Sequence, residues 1–164
     1  LVGHSLGGAS SLIYSTQKRA DGLLGVVVIA PGHMIHKSKK MLKVTKKSIM
    51  KAREKVEAGE GEEKFDFKEL NTGKVKNVRI RADVYLSFYD RDVFPNVEDS
   101  LEDITYPLLW IGAKKDRLTS VYDMPTLFEY ANNNDKSQYS EVKGGHKSVV
   151  KNSTETILKW IDKL

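Results

Sequence analysis

A chain of 164 residues, 40% hydrophobic and 30% charged, is long enough for one domain with a real core and too apolar for a disordered polymer. It contains no cysteine, which excludes disulfides, thiolate metal sites and a cysteine nucleophile. No apolar run approaches the length of a membrane-spanning helix, and a net charge of +5 without an aromatic-basic ribbon or groove-reading motif gives no basis for nucleic-acid binding.

The chain opens with Leu1-Val2-Gly3-His4-Ser5-Leu6-Gly7-Gly8, an apolar strand end that runs into a Gly-X-Ser-X-Gly turn and then a helix. This is the pattern of a nucleophile elbow, in which a sharp strand-to-helix turn holds the serine in a strained backbone conformation above a sheet. Glycines at positions 3 and 7 leave room for the neighbouring strand and helix, and a larger side chain at either place is expected to clash. Ala9-Ser10-Ser11-Leu12-Ile13-Tyr14-Ser15 continues with small residues at helical spacing, as a helix packed close behind an elbow requires. On these residues the chain resembles the α/β-hydrolase superfamily, of the serine esterase and lipase kind, from its nucleophile elbow onward. The resemblance implies an α/β architecture of parallel strands with flanking helices and a helical cap insertion. With the elbow already at position 5, the expectation is a partial α/β-hydrolase fold from which the N-terminal strands are absent.

The elbow helix is expected to end near Lys18-Arg19, with Asp21-Gly22 as the turn. Leu24 to Ala30 is apolar on both faces, as a parallel strand covered by helices on both sides must be, and Pro31-Gly32 ends it. Without a neighbour, this strand is predicted to present an unpaired edge, and the isolated chain to be poorly soluble or inactive. In the superfamily, cap insertions commonly enter after such a strand, and the next readily assigned core strand begins only around Pro107. The expected division is therefore hydrolase core over 1–32, cap over 33–106 and hydrolase core again over 107–164.

The cap divides by charge. From His33 to Ala58 there are nine Lys or Arg against two Glu, and from Gly59 to Tyr106 seven against twelve Asp or Glu. In the basic half Ile35, Leu42, Ile49 and Val56 recur every seven residues with Ser38, Thr45 and Ala52 between them, which predicts a long helix packing on one narrow stripe with its lysines outward. That face reads either as weak attraction to an anionic membrane surface or acidic substrate, or as a solvated lysine surface partly neutralised by the acidic half. Gly59-Glu60-Gly61-Glu62-Glu63 reads as a polar hinge, Phe65, Phe67 and Leu70 as a small apolar cluster, and Asn71-Thr72-Gly73 as a turn. Val78, Ile80, Ala82, Val84, Leu86 and Phe88 alternate like a strand, while Ala82, Leu86 and Tyr89 share a helix face; helix is expected from about Val78 to Tyr89. Tyr85, Phe88, Tyr89 and Phe94 either line an acyl or aromatic pocket or form the core of the cap.

Leu108-Leu109-Trp110-Ile111-Gly112 is again a continuous apolar strand, followed by the loop Ala113-Lys114-Lys115-Asp116-Arg117-Leu118-Thr119. The resemblance places the acid of a catalytic triad in such a loop, at Asp116, with Asp123, Asp90 and Asp92 as weaker alternatives. A helix from about Val121 to Asn133 and a loop over Asn132–Asp135 are expected next. A short strand from Ser137 to Val142 then leads into Gly144-Gly145-His146, and a closing helix over Val149–Leu164 is apolar at Val150, Ile157, Trp160, Ile161 and Leu164. His146 lies where the superfamily carries its base, while His4 lies inside the elbow and His33 and His36 at the cap entrance are expected to be structural or exposed.

Ser5, Asp116 and His146 stand in the superfamily's chain order of nucleophile, acid and base. A serine hydroxyl is a poor nucleophile at neutral pH, so His146 is expected to take its proton during attack and return it to the leaving group, with Asp116 fixing the imidazole tautomer. One oxyanion donor is expected to be the backbone N–H of Leu6; the other normally comes from a loop after an earlier strand. The resemblance thus implies a serine hydrolase acting on a small-molecule acyl ester as carboxylesterase, lipase or thioesterase. The competing reading is a noncatalytic α/β-hydrolase-like binding protein that uses the cap to recognise a ligand or partner. Haloalkane dehalogenase is disfavoured, since it carries aspartate at the elbow. No Walker loop, dinucleotide fingerprint or clustered metal ligands occur, so no cofactor is expected.

Overall fold

The computed structural model describes residues 1–17, 22–119, 122–131 and 134–164. In chain order its elements are β1 (Val2–His4), α1 (Leu6–Gln17), β2 (Val26–Ile29), α2 (Lys39–Glu57), β3 (Lys64–Glu69), β4 (Lys76–Arg81), α3 (Ala82–Tyr89), α4 (Val97–Asp103), β5 (Leu108–Ala113), α5 (Met124–Glu129), β6 (Gln138–Val142), α6 (Ser148–Asn152) and α7 (Thr154–Ile161). They form two compact units, one of Leu1–Met34 with Val97–Leu164 and one of Ile35–Asn96.

The first unit holds a parallel sheet in the order β1-β2-β5-β6. Its two inner strands, β2 and β5, are apolar on both faces because both faces are covered. Val26 and Val28 of β2, with Leu108 and Trp110 of β5, pack against Ala9 and Leu12 of α1, Leu101 of α4 and Leu127 of α5. The alternate residues Val27, Ile29, Leu109 and Ile111 pack against Val149 of α6 and Trp160 of α7. Period-two alternation thus feeds two cores from one set of strands. Both tryptophans lie here: Trp110 is fully buried and its Nε1 finds no acceptor among the described residues, whereas Trp160 Nε1 donates to the Lys136 carbonyl at 2.9 Å.

The expected unpaired edge at Leu24–Ala30 is not where the sheet ends. β2 lies between β1 and β5, with Val2 opposite Val27 and Val26 opposite Leu108. The elbow's own strand is the missing neighbour: α1 carries the chain back to a parallel strand beside the one it left. The outer strands among the described residues are β1 and β6.

Other expectations change at element ends. The anticipated helix end at Lys18-Arg19 and the turn residue Asp21 lie outside the described residues, as do Val121, Asn132 and Asn133 of the anticipated helix over 121–133. Its described part is the shorter α5, capped by Asp123, whose carboxylate accepts from the Thr126 amide at 3.4 Å. The single closing helix is two: Ser153 is fully buried, donates its hydroxyl to the Val149 carbonyl at 2.6 Å and turns its own amide to the Val150 carbonyl, ending α6 before α7 begins. This leaves Val150 and Ile161 exposed and Val149 and Trp160 buried. The insertion expected to reach residue 106 differs from the second unit, which ends at Asn96; α4 packs in the first unit's core.

The second unit is a hairpin with two helices on it. β3 and β4 pair antiparallel, with Phe65 opposite Ile80 and Phe67 opposite Val78. The helix expected from about Val78 to Tyr89 is present only from Ala82, where the period changes; Val78 and Ile80 instead complete a cross-strand apolar face with Phe65 and Phe67. The expected turn at Asn71-Thr72-Gly73 is present, with Gly73 at φ +75°. Phe67 stacks on Tyr85 at 4.4 Å, Tyr85 lies 4.7 Å from Tyr89, and the Tyr85 hydroxyl donates to the Lys68 carbonyl at 2.6 Å. Tyr85 and Tyr89 are therefore core, with Phe88 and Phe94 packed partly buried against them.

Ser38 starts α2 by accepting the Met41 amide at 3.1 Å. The helix buries Met41, Thr45, Ser48, Ile49 and Ala52, while Leu42 and Val56 are 37% and 40% exposed. A strict seven-residue spacing drifts about 20° per repeat around an α-helix, so the expected stripe leaves the buried face at both ends. The cations of α2 also divide. Arg53 grips Asp90 with two bonds of 2.6 Å, Lys55 pairs with Glu60 and Lys51 lies over Phe65 and Phe67. Lys39, Lys40, Lys43, Lys46 and Lys47 are exposed and make no ion pair among the described residues.

Candidate active site

β1 delivers Ser5 at its C-terminal end with φ +56°, the left-handed region that a non-glycine residue enters only at a cost of about 1–3 kcal/mol. The surrounding backbone holds it there. Its amide donates to the Ile29 carbonyl at 3.0 Å, and its carbonyl accepts from Gly8 and Gly32, each at 3.0 Å. Gly3 is required by contact: a Cβ there would stand 2.1 Å from the Gly7 carbonyl oxygen. Gly7 shows no such neighbour, so the expected clash applies to position 3 and not to position 7. Two more non-glycine residues of the same unit, Ala30 at φ +42° and His33 at φ +62°, share this backbone conformation.

β5 ends in the loop that carries Asp116, and β6 in the loop that carries His146. Ser5 Oγ lies 2.8 Å from His146 Nε2, and His146 Nδ1 lies 2.6 Å from Asp116 Oδ2. A carboxylate only accepts, so Nδ1 bears the proton and Nε2 is left to accept the Ser5 hydroxyl. Asp116 is buried to 4% exposure; Oδ2 also accepts the Thr119 hydroxyl at 2.8 Å, and Oδ1 the Leu118 amide at 2.8 Å. Burial alone would push its carboxyl up, but the bonds from His146, Thr119 and Leu118 outweigh that and hold it below the ordinary carboxylate value.

The structure thus brings together Ser5, Asp116 and His146, separated by up to 141 positions in the chain. Leu6 follows directly in the first turn of α1, where helix geometry provides its N–H with no acceptor and the helix dipole is positive. The alternative acids do not join them: Asp123 caps α5, while Asp90 and Asp92 belong to the second unit and pair with Arg53. His36 Nε2 donates to the Arg91 carbonyl at 3.0 Å, a structural role, and His33 is buried. Two residues were missed. Thr119 had a readable signal, since Asp-X-X-Thr is the spacing at which a carboxylate accepts bonds from the residues just after it. His4 had none: its Nε2 lies 2.7 Å from the His146 carbonyl, across 142 positions. Among the described residues no group of three or more His, Cys, Asp or Glu could hold a metal ion, and no helix is long and apolar enough to cross a membrane.

Residues 1–150 match a family model described as serine aminopeptidase, S33. Among solved structures the chain is similar to the α/β hydrolase GrgF from Penicillium sp. sh18, at 18% identity and TM-score 0.65 over 97% of this chain and 60% of that one. It is similar also to a monoacylglycerol lipase from Paleococcus ferrophilus, at 22% identity and TM-score 0.62 over 98% of this chain and 66% of that one. An enol-lactonase from Burkholderia xenovorans LB400 matches at 15% identity and TM-score 0.57, over 98% and 64%. At these identities the likeness is one of fold, and the chain spans less than two thirds of each solved structure. No protein of curated function matches the sequence.

Proposed function

The chain belongs to the serine aminopeptidase S33 family of α/β hydrolases, and from that premise we propose that it is a serine hydrolase cleaving an acyl ester through a covalent acyl-enzyme. The observation that carries the reading is the relay from Asp116 through His146 to Ser5, with heavy-atom separations of 2.6 and 2.8 Å. In this reading Ser5 Oγ attacks the ester carbonyl carbon as its proton passes to His146 Nε2. The positive imidazole is stabilised by Asp116, which stays ionised because it is held by three donors. The negative charge developing on the carbonyl oxygen meets the Leu6 N–H and the positive end of α1. His146 then gives its proton to the departing alcohol or thiol, and a water molecule, deprotonated by the same nitrogen, releases the acid and restores Ser5.

The lipase and lactonase among the structural neighbours favour ester over amide chemistry, and the family description keeps an aminoacyl amide as the competing substrate. A fluorophosphonate probe together with matched p-nitrophenyl ester and aminoacyl p-nitroanilide substrates tests the reading. The expected result is labelling and an ester burst in the full-length wild-type protein, both abolished in Ser5→Ala. An unlabelled wild type, or full ester turnover in Ser5→Ala, overturns it. The partner is then a small acyl ester, and the same proposal gives the five lysines of α2 that make no ion pair among the described residues a weak attraction to an anionic membrane surface.

A further inference from the structure

The loop that carries His146 is anchored on one side by its own neighbours. The Lys143 carbonyl accepts from Asn152 Nδ2 of α6 at 2.6 Å, the Gly144 carbonyl from the Lys115 amide at 2.9 Å, and the Gly145 carbonyl from the Val149 amide at 3.0 Å. Lys115 belongs to the loop after β5, so these bonds tie the loop to the acid's side of the sheet. The His146 carbonyl is different. It is held by His4 Nε2 at 2.7 Å, from the strand that carries Ser5, and the two imidazole rings lie 4.8 Å apart at 44°. A backbone carbonyl only accepts, so His4 must carry its proton on Nε2.

From this geometry we infer that His4 is a positioning residue, which pins the backbone of His146 to the nucleophile's strand and so sets the distance between imidazole and serine. The inference rests on the reading of Ser5, His146 and Asp116 as a catalytic relay. A side chain that swings on an unpinned Cα loses alignment at its tip, and a displacement of about 1 Å at a reacting atom costs up to about a hundredfold in rate. His4 is adjacent to the nucleophile in sequence, so its ring moves with the elbow. Any shift of the His146 backbone relative to Ser5 must therefore break or stretch this bond. The three bonds above hold Lys143, Gly144 and Gly145 on the acid's side and within the loop itself, so the bond from His4 is the backbone contact that ties the loop to the nucleophile's strand.

Two contacts are made by His4, a donated hydrogen bond and a ring face, and they are separated by substitution. His4→Phe keeps an aromatic ring beside His146 and removes the donor; His4→Gln keeps an N–H donor at similar reach and removes the ring. Both are compared with the wild type by steady-state ester hydrolysis and by the fluorophosphonate labelling rate, with thermal unfolding recorded to confirm folding. The expected result is that His4→Phe lowers kcat and the labelling rate about tenfold, the scale of losing one hydrogen bond of about 1.4 kcal/mol, with KM unchanged, and that His4→Gln recovers most of the loss. Wild-type kcat in His4→Phe overturns the inference, as does a His4→Gln variant impaired to the same degree while still folded. Ser5→Ala is the control that separates the two claims: if it remains active, the relay reading itself fails, whereas an inactive Ser5→Ala beside a fully active His4→Phe removes only the role of His4.

Discussion

Asp116 is a buried carboxylate that accepts from His146, Thr119 and Leu118. Burial raises the cost of its charge, and three donors more than offset that cost, so its folded-state pKa lies below the unfolded value. A carboxylate shifted in this direction stabilises the fold fully above the ordinary aspartate range near 4, and the contribution disappears as pH falls through the folded-state value. Wild type and Asp116→Asn should therefore differ most in urea midpoint near neutral pH, and the gap should narrow as pH falls through and below the ordinary aspartate range; a gap independent of pH would contradict the assignment. At this scale the sequence was informative for Ser5, Asp116 and His146, because a strand end, a glycine and a reactive side chain recur together in each case. Thr119 was legible in hindsight from its spacing to Asp116. His4 was not, because nothing local distinguishes an elbow histidine that reaches a carbonyl 142 positions away from one that does not.

Strands buried on both faces were the easiest elements to read, since continuous apolar runs such as Val26–Ile29 and Leu108–Ile111 leave little alternative. Elements built from alternating charge and aromatic residues were the hardest. Lys64-Phe65-Asp66-Phe67-Lys68-Glu69 is too short and too polar to announce a strand, and only its pairing with Lys76–Arg81 makes Phe65 and Phe67 one face. Helix α2 was legible as a helix, and its expected stripe is buried at Thr45, Ile49 and Ala52 but not at Leu42 and Val56, because about ten degrees of drift per turn is hard to see against a sparse apolar pattern and Met41 and Ser48 lie off the seven-residue spacing. Five lysines within nine positions, with no ion pair among the described residues, offer on the order of 1 kcal/mol each near an anionic bilayer, and salt screens them. Sedimentation with phosphatidylcholine vesicles containing phosphatidylserine should carry the protein down at low ionic strength, and the variant Lys43→Glu/Lys46→Glu/Lys47→Glu should stay in solution. Equal binding to vesicles of phosphatidylcholine alone would exclude the lysine face as the cause.

For the molecule as a whole, the order of the sheet matters most. The edge expected beside Leu24–Ala30 is filled by β1, because a serine elbow and its helix return the chain to the adjacent strand, and the outer strands among the described residues are β1 and β6. The two compact units have separate cores, one gathered on the four-stranded sheet and the other on the hairpin with α2 and α3. Both indoles sit in the first unit, one on each face of its sheet, and the second unit contains tyrosines and phenylalanines but no tryptophan. Indole emission excited at long wavelength is therefore a selective reporter: it is blind to loss of the hairpin and its helices, which far-ultraviolet dichroism registers. If the units melt separately, the optical curves will part company on heating, and a single shared midpoint would mean that they come undone together.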